Sequence, residues 1–138
     1  MPSRDERTAT KLFTERYGRA VTDGTRELER LVIGADWGAN GYTTLAQARM
    51  LGELLELGPG RRLLDIGSGR GWPGVYLAKE TGCEVAVTDL PLQGLHQSMR
   101  RAATEGIDGR VWAAVSSARH LPFRDQAFDG IVHTDVLC

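Results

Sequence analysis

Cysteine is scarce in this 138-residue chain, which carries only Cys83 and Cys138. Two thiols at that spacing build neither a disulfide framework nor a metal-ligand cluster, so a reducing compartment and no metal are expected. Long apolar runs are also missing. No stretch approaches the roughly 18 apolar residues that a spanning helix needs, and the opening MPSRDERTAT lacks the apolar core of a secretory signal. Neither sign of charge dominates, with 17 Lys plus Arg against 18 Asp plus Glu. The chain therefore lacks the positive excess that favours phosphate backbones, and nucleic acid is not a favoured partner. What is present, 41% hydrophobic and 25% charged residues, fits one ordinary globular domain. The expectation is a soluble cytoplasmic protein with no membrane partner.

Two patterns divide the chain. Residues 1–58 read as helical. Pro2 to Ala20 carries Leu12, Phe13 and Tyr17 among charges, a weakly amphipathic helix expected on the surface. A second helix, near Arg26 to Ile33, ends in GADWGANG, whose glycines break regular structure. Trp37 and Tyr42 then sit in or beside a loop, either anchoring it to the core or belonging to a lid over a ligand. Thr44 to Gln47 forms a capping-box pattern ahead of Leu45, Ala48, Leu51, Leu54 and Leu55, and Gly58-Pro59-Gly60 stops that helix.

From residue 59 onward, short apolar runs alternate with helices, the signature of βαβ units and a parallel sheet. Strands are expected at Arg62 to Ile66, Glu84 to Thr88, Val111 to Val115 and Phe128 to Thr134, with helices at Pro73 to about Thr81 and about Leu92 to Glu105. The fold class is α/β, a Rossmann-like, mostly parallel sheet of four strands flanked by helices.

The chemistry concentrates in LLDIGSGRGWPG, where an apolar strand runs into a glycine loop and then a helix expected to begin at Pro73. Glycines there let the backbone turn sharply and approach a ligand, and exposed N–H groups at the helix start would favour a carboxylate or phosphate. Gly69-Arg70-Gly71-Trp72-Pro73-Gly74 literally satisfies the three-glycine dinucleotide pattern, but its register is poor. In the preferred register, starting at the strand's end, the third glycine position holds Trp72, whose indole would obstruct close helix-strand packing.

Asp65-Ile66-Gly67-Ser68-Gly69-Arg70-Gly71 instead resembles the first motif of class I S-adenosylmethionine-dependent methyltransferases of the type 11-like group. That resemblance implies that Asp65 stands near the methionine amino group of S-adenosyl-L-methionine, and that Gly67, Ser68, Gly69 and Gly71 lie along its methionyl chain. Asp89, ending the strand EVAVTD, would hold the ribose diol, and Leu90 would pack against adenine. Ser117-Ala118, followed by Arg119-His120-Leu121-Pro122-Phe123 and by Phe128-Asp129-Gly130-Ile131-Val132, is similar to the family's adenine-contact segment and fourth strand. Ser117 occupies a place where the family often has an acid, and its oxygen can still accept from adenine's amino group.

Methyl transfer asks mainly for alignment of donor and acceptor, with a base only where the acceptor must lose a proton. His133, after the fourth strand, is the candidate base; a hydrogen-bonded strand-end histidine is the competing explanation. HTDVLC replaces the Asn/Asp-Pro-Pro-aromatic stretch of amine methylators, which points to a small-molecule acceptor. A non-catalytic cofactor-binding module and an NAD-type oxidoreductase remain as alternatives. The family plan has three further strands after the fourth, so the fourth strand is expected to be an open edge. The chain would then self-associate there or be one piece of a longer protein.

Overall fold

The computed structural model describes residues 1–136. Three helices come first: α1 (Arg4–Tyr17), α2 (Asp23–Ile33) and α3 (Leu45–Leu54). Each opens on a reciprocal capping box, Ser3 with Glu6, Thr22 with Thr25 and Thr44 with Gln47, which satisfies amide groups that a helix start otherwise leaves without partners. Strand and helix then alternate through β1 (Arg62–Ile66), α4 (Gly74–Thr81), β2 (Glu84–Asp89), α5 (Leu92–Thr104), a 3₁₀ turn at Asp108–Arg110, β3 (Val111–Val115) and β4 (Gly130–Val132).

The four strands form one sheet in the order β3-β2-β1-β4, every pair parallel. Successive side chains in a strand alternate between faces. Leu63, Val85, Val87, Val111 and Val132 join the core with Val75, Leu77 and Ala78 of α4 and Leu95 and Ala102 of α5. Ile33, Ala35 and Ala48 belong to the same cluster, so the N-terminal segment packs into that core. The register aligns Trp112, Ala86, Leu64 and Ile131 in one row across the sheet. The inner two are buried, whereas Trp112 and Ile131, at the two edges, are half-exposed.

Several expectations need correction. The fourth strand is only Gly130–Val132. Before it, Phe128 leaves the strand path to pack edge-on against Phe123, 4.9 Å between ring centres, and after it Asp135 adopts a left-handed φ of 57°. Pro73 is the N-cap of α4, with Gly74 the first helical residue. The first helix lies on the surface as expected, yet it packs across α5, and Tyr17 at its end is buried. Trp37 is an anchor, packed 5.4 Å from Tyr76 and 6.4 Å from Trp72 between ring centres. Tyr42 is not, being 80% exposed.

Candidate functional site

A cavity of about 350 Å³ opens at the carboxyl ends of β1 and β2. Gly67, Ser68, Gly69, Asp89 and Leu90 line it, and so do Phe13 and Tyr17 of α1. In an open parallel sheet this is where ligands bind, at the point where the strand order reverses on either side of β1.

The loop between β1 and α4 is held mostly by its own backbone. Thr88 of β2 accepts the N–H groups of Gly67 (2.8 Å) and Ser68 (3.0 Å) through its carbonyl, and Ser68 accepts that of Gly71 (2.8 Å). Asp89 does the rest: one carboxylate oxygen accepts the Gly69 N–H at 2.8 Å, the other that of Leu90 at 2.8 Å. Burial pushes the Asp89 carboxyl above its ordinary range, while the two N–H bonds pull the other way. Gly69 has φ +55°, and a Cβ there would stand 2.8 Å from the Tyr17 hydroxyl, so both conformation and space call for glycine.

Asp65 lies beneath this loop, not in the cavity lining. It is 1% exposed; one oxygen accepts the Gly74 N–H at 2.8 Å, and the other is buried with no hydrogen-bond partner. Burial, with a smaller contribution from the neighbouring Asp89 charge, holds its carboxyl well above the usual range. A Cβ on Gly74 would stand 2.6 Å from that carboxylate, so Gly74 is the residue that lets α4 close on β1, a role the sequence reading missed. The expectation of free N–H groups at this helix start is corrected too. Asp65 takes the Gly74 N–H, and the Gly71 carbonyl takes that of Val75.

Five of the expected residues, Gly67, Ser68, Gly69, Asp89 and Leu90, come together in the cavity. Gly71 faces Val75 and Ser98 instead. Ser117 and Ala118 are outside the lining. The Ser117 hydroxyl donates to the Glu6 carboxylate of α1 and accepts the Arg119 N–H at 3.1 Å. That hydroxyl, first among several hydrogen bonds, pulls the Glu6 carboxyl down to about 2. His133 is exposed and outside the lining, which its neighbours Thr134 and Asp135 join.

Sequence reasoning missed the α1 wall. Tyr17 reaches the glycine loop, with the Arg70 guanidinium 5.4 Å from its ring centre and Gln97 donating to its carbonyl at 2.7 Å. Burial, then the Asp89 charge, pushes its hydroxyl up to about 12, so it is a hydrogen-bond donor at neutral pH. Trp72, 5% exposed, packs 5.2 Å from Tyr76 and donates through Nε1 to the Thr43 carbonyl at 3.0 Å, tying the 36–43 segment to the loop.

A parallel sheet ordered β3-β2-β1-β4, with a glycine loop after β1 and a carboxylate ending β2, is the Rossmann-like arrangement that class I methyltransferases share with dinucleotide-binding folds. The chain belongs to the methyltransferase domain family, whose model matches residues 63–138. It is 36% identical over 79 residues to methyltransferase GfsG of Streptomyces halstedii, a match covering 57% of this chain and 28% of that protein. To the 27-O-demethylrifamycin SV methyltransferase of Amycolatopsis mediterranei it is 36% identical over 89 residues, 63% of this chain and 32% of the relative. A solved S-adenosylmethionine-dependent methyltransferase from Geobacter sulfurreducens, in complex with S-adenosylhomocysteine, superposes with a TM-score of 0.60 at 27% identity, covering 67% of this chain and 37% of that one. The chain thus spans about a third or less of the length of these curated relatives. Among the described residues no helix is long and apolar enough to cross a membrane, and no cluster of His, Cys, Asp or Glu is placed to hold a metal ion.

Proposed function

We propose that this chain binds S-adenosyl-L-methionine in the cavity beside Gly67 to Gly69 and Asp89, and serves methyl transfer to a small-molecule acceptor. The observation that carries this reading is how the loop spends its amides. The N–H groups of Gly67, Ser68, Gly69, Gly71 and Gly74 all have partners within the protein. A diphosphate needs such groups free, as a nest at the helix start. A ligand with a ribose and an apolar base does not; it needs a carboxylate at the end of β2 and an apolar surface beyond it, which Asp89 and Leu90 supply. The cavity volume of about 350 Å³ also lies within the range of roughly 300–1,000 Å³ usual for small-molecule sites.

In this reading the carboxylate of Asp89 accepts from the ribose hydroxyls while keeping its grip on the loop, since each oxygen has a second lone pair. Leu90 packs on the base, and Phe13 and Tyr17 cover the ligand and exclude water. Asp65 acts through the loop it supports, with one carboxylate oxygen still open to a donor. When bound, S-adenosyl-L-methionine would supply an electrophilic methyl carbon, to which an acceptor lone pair would bond in line as the C–S bond breaks and the sulfur leaves with its electron pair as a thioether. The chain's own contribution is alignment. A small-molecule acceptor is supported by the relative named for 27-O-demethylrifamycin SV.

In this reading residues 1–58 are a helical segment whose α1 and residues 40–41 cover the site, and residues 59–138 are its cofactor-binding half. We place the protein in the cytoplasm, a setting compatible with the buried free thiol of Cys83. The short edge strand β4, with Ile131 half-exposed, is proposed as a self-association edge. Calorimetric titration with S-adenosylhomocysteine and, separately, NADH tests the ligand class: the first is expected to bind and the second not, and the reverse would overturn the reading. Donor binding without transfer to any acceptor would support the second reading, a non-catalytic cofactor module.

A further inference from the structure

Next to the cofactor cavity lies another, of about 380 Å³, between α1, α2 and the 38–42 segment. Asn40 and Gly41 line both and form the partition between them. One wall is apolar: Leu28 and Val32 of α2, 60% and 49% exposed, stand there with Val21 and the buried Ile33. The lining also holds three arginines, Arg16 and Arg19 at and just beyond the end of α1 and Arg70 in the glycine loop, whose guanidinium lies over the Tyr17 ring and donates to the Arg16 carbonyl at 3.4 Å.

No ion pair among the described residues engages these groups, and the one carboxylate that lines the cavity, Glu29, acts on Arg70 only through its charge at a distance. Among the described residues the ion pairs use Arg30, Arg61, Arg62, Lys79 and Arg101, and none of the three arginines of this cavity. Glu29 lines the cavity, but its oxygens are occupied by the N–H groups of Trp37 (2.7 Å), Gly38 (3.1 Å) and Ala39 (3.1 Å). Arg70 is half-buried, and its Nε is enclosed without a hydrogen-bond partner, a donor left open by the protein itself. Burial accordingly lowers the pKa of its guanidinium.

We infer that this second cavity is the acceptor site and that the acceptor is an amphiphilic anion: an apolar body against Leu28 and Val32, with a carboxylate or phosphate among Arg16, Arg19 and Arg70. The inference rests on the cofactor reading for its name, since the shared partition at Asn40 and Gly41 is what sets this cavity beside the donor. Guanidinium groups bind either oxyanion through paired, charge-assisted hydrogen bonds, and exposed leucine and valine gain by burial against a chain of methylenes.

The test is calorimetric titration of the full chain, with and without saturating S-adenosylhomocysteine, using octyl phosphate, octanoate, octanol and octylamine. One or both anions are expected to bind, at least about tenfold more tightly than octanol, with octylamine weakest; which anion leads separates the phosphate from the carboxylate class. The double variant Arg16→Gln/Arg19→Gln, at exposed positions, should weaken the anions by about ten- to a hundred-fold while leaving octanol and S-adenosylhomocysteine unchanged. Octanol binding as tightly as the anions, no binding of either anion, or anion affinity indifferent to the double variant would each overturn the inference. Failure of S-adenosylhomocysteine to bind would instead overturn the cofactor reading, with the titrations run in its absence still reporting on the arginine cleft.

Discussion

Replacing Asp89 by alanine removes one side chain that the structure gives two tasks, and the tasks can be measured separately. Its oxygens hold the N–H groups of Gly69 and Leu90, both at 2.8 Å. Hydrogen bonds to a charged partner contribute about 1.5–3 kcal/mol each, so the gross loss is about 3–6 kcal/mol. Part of that returns, because Asp89→Ala also removes the cost of desolvating the carboxylate and lets water reach two amides that are only partly buried. A net loss of about 1–3 kcal/mol in the stability of the unliganded chain is the expected result, read as a lowered urea midpoint at unchanged slope. The affinity for S-adenosylhomocysteine should fall by a further about 1–3 kcal/mol, roughly five-fold to a hundred-fold or more, through loss of the ribose contact. Asp89→Asn keeps the shape but presents an amide N–H₂ to one of the two backbone donors, and should land between the wild type and alanine. The wild-type affinity should also weaken as pH falls into the window just above the ordinary carboxylate range, because burial raises the Asp89 pKa and the ionised form is the one that accepts. If Asp89→Ala shifts neither the midpoint nor the affinity, both the loop-holding role and the placement of the cofactor are wrong.

Asp65→Asn should flatten a pH dependence. Burial raises the Asp65 pKa, so the folded state holds a proton that the unfolded chain releases, and stability declines as pH rises from the ordinary carboxylate range through the folded value. Urea midpoints at about pH 5 and about pH 8 should therefore converge in the variant, and an unaltered difference would count against this account. Glu29→Ala should free the three amides of residues 37–39 and increase proteolytic cleavage in that segment. Saturating S-adenosylhomocysteine should suppress cleavage there in the wild type, and indifference to ligand would remove the segment from any lid. Light scattering should show self-association that Ile131→Lys reduces; a monodisperse wild-type monomer of 15.1 kDa would refute pairing through β4.

The sheet and its loop were legible because their signals are local. The apolar run Leu63 to Ile66, the switch to glycines and the return of helical spacing sit within a few residues, and three strands fall within a residue of their expected ends. Asp89 was legible for the same reason, as the polar residue closing EVAVTD. The α1 wall was not. An amphipathic pattern says which face of a helix is apolar but not what that face meets, and the partners here, Gln97 and Ser117, lie 80 and 111 residues away. The Phe123–Phe128 contact shortened β4 in the same way, by giving a strand-forming aromatic a better place than the strand. Trp72 was read as an obstruction in one glycine register, and it is a buried hub for Trp37 and Tyr76. Its neighbour Gly74, whose missing Cβ matters, drew attention only through the pattern that was set aside.

Glu6 meets Ser117 across 111 residues, and Tyr17 lies against the loop at Gly69. For a chain made from its N-terminus, this fixes an order of events. The helix that roofs the site leaves the ribosome before its floor and before the hydroxyl its first turn grips. Until β3 has joined the sheet, α1 has no complete surface to lie on, and its capping box must sustain it as an isolated helix of 14 residues, a length at which helices in water are marginal. The cavity is therefore completed only when α1 folds back over strands made after it.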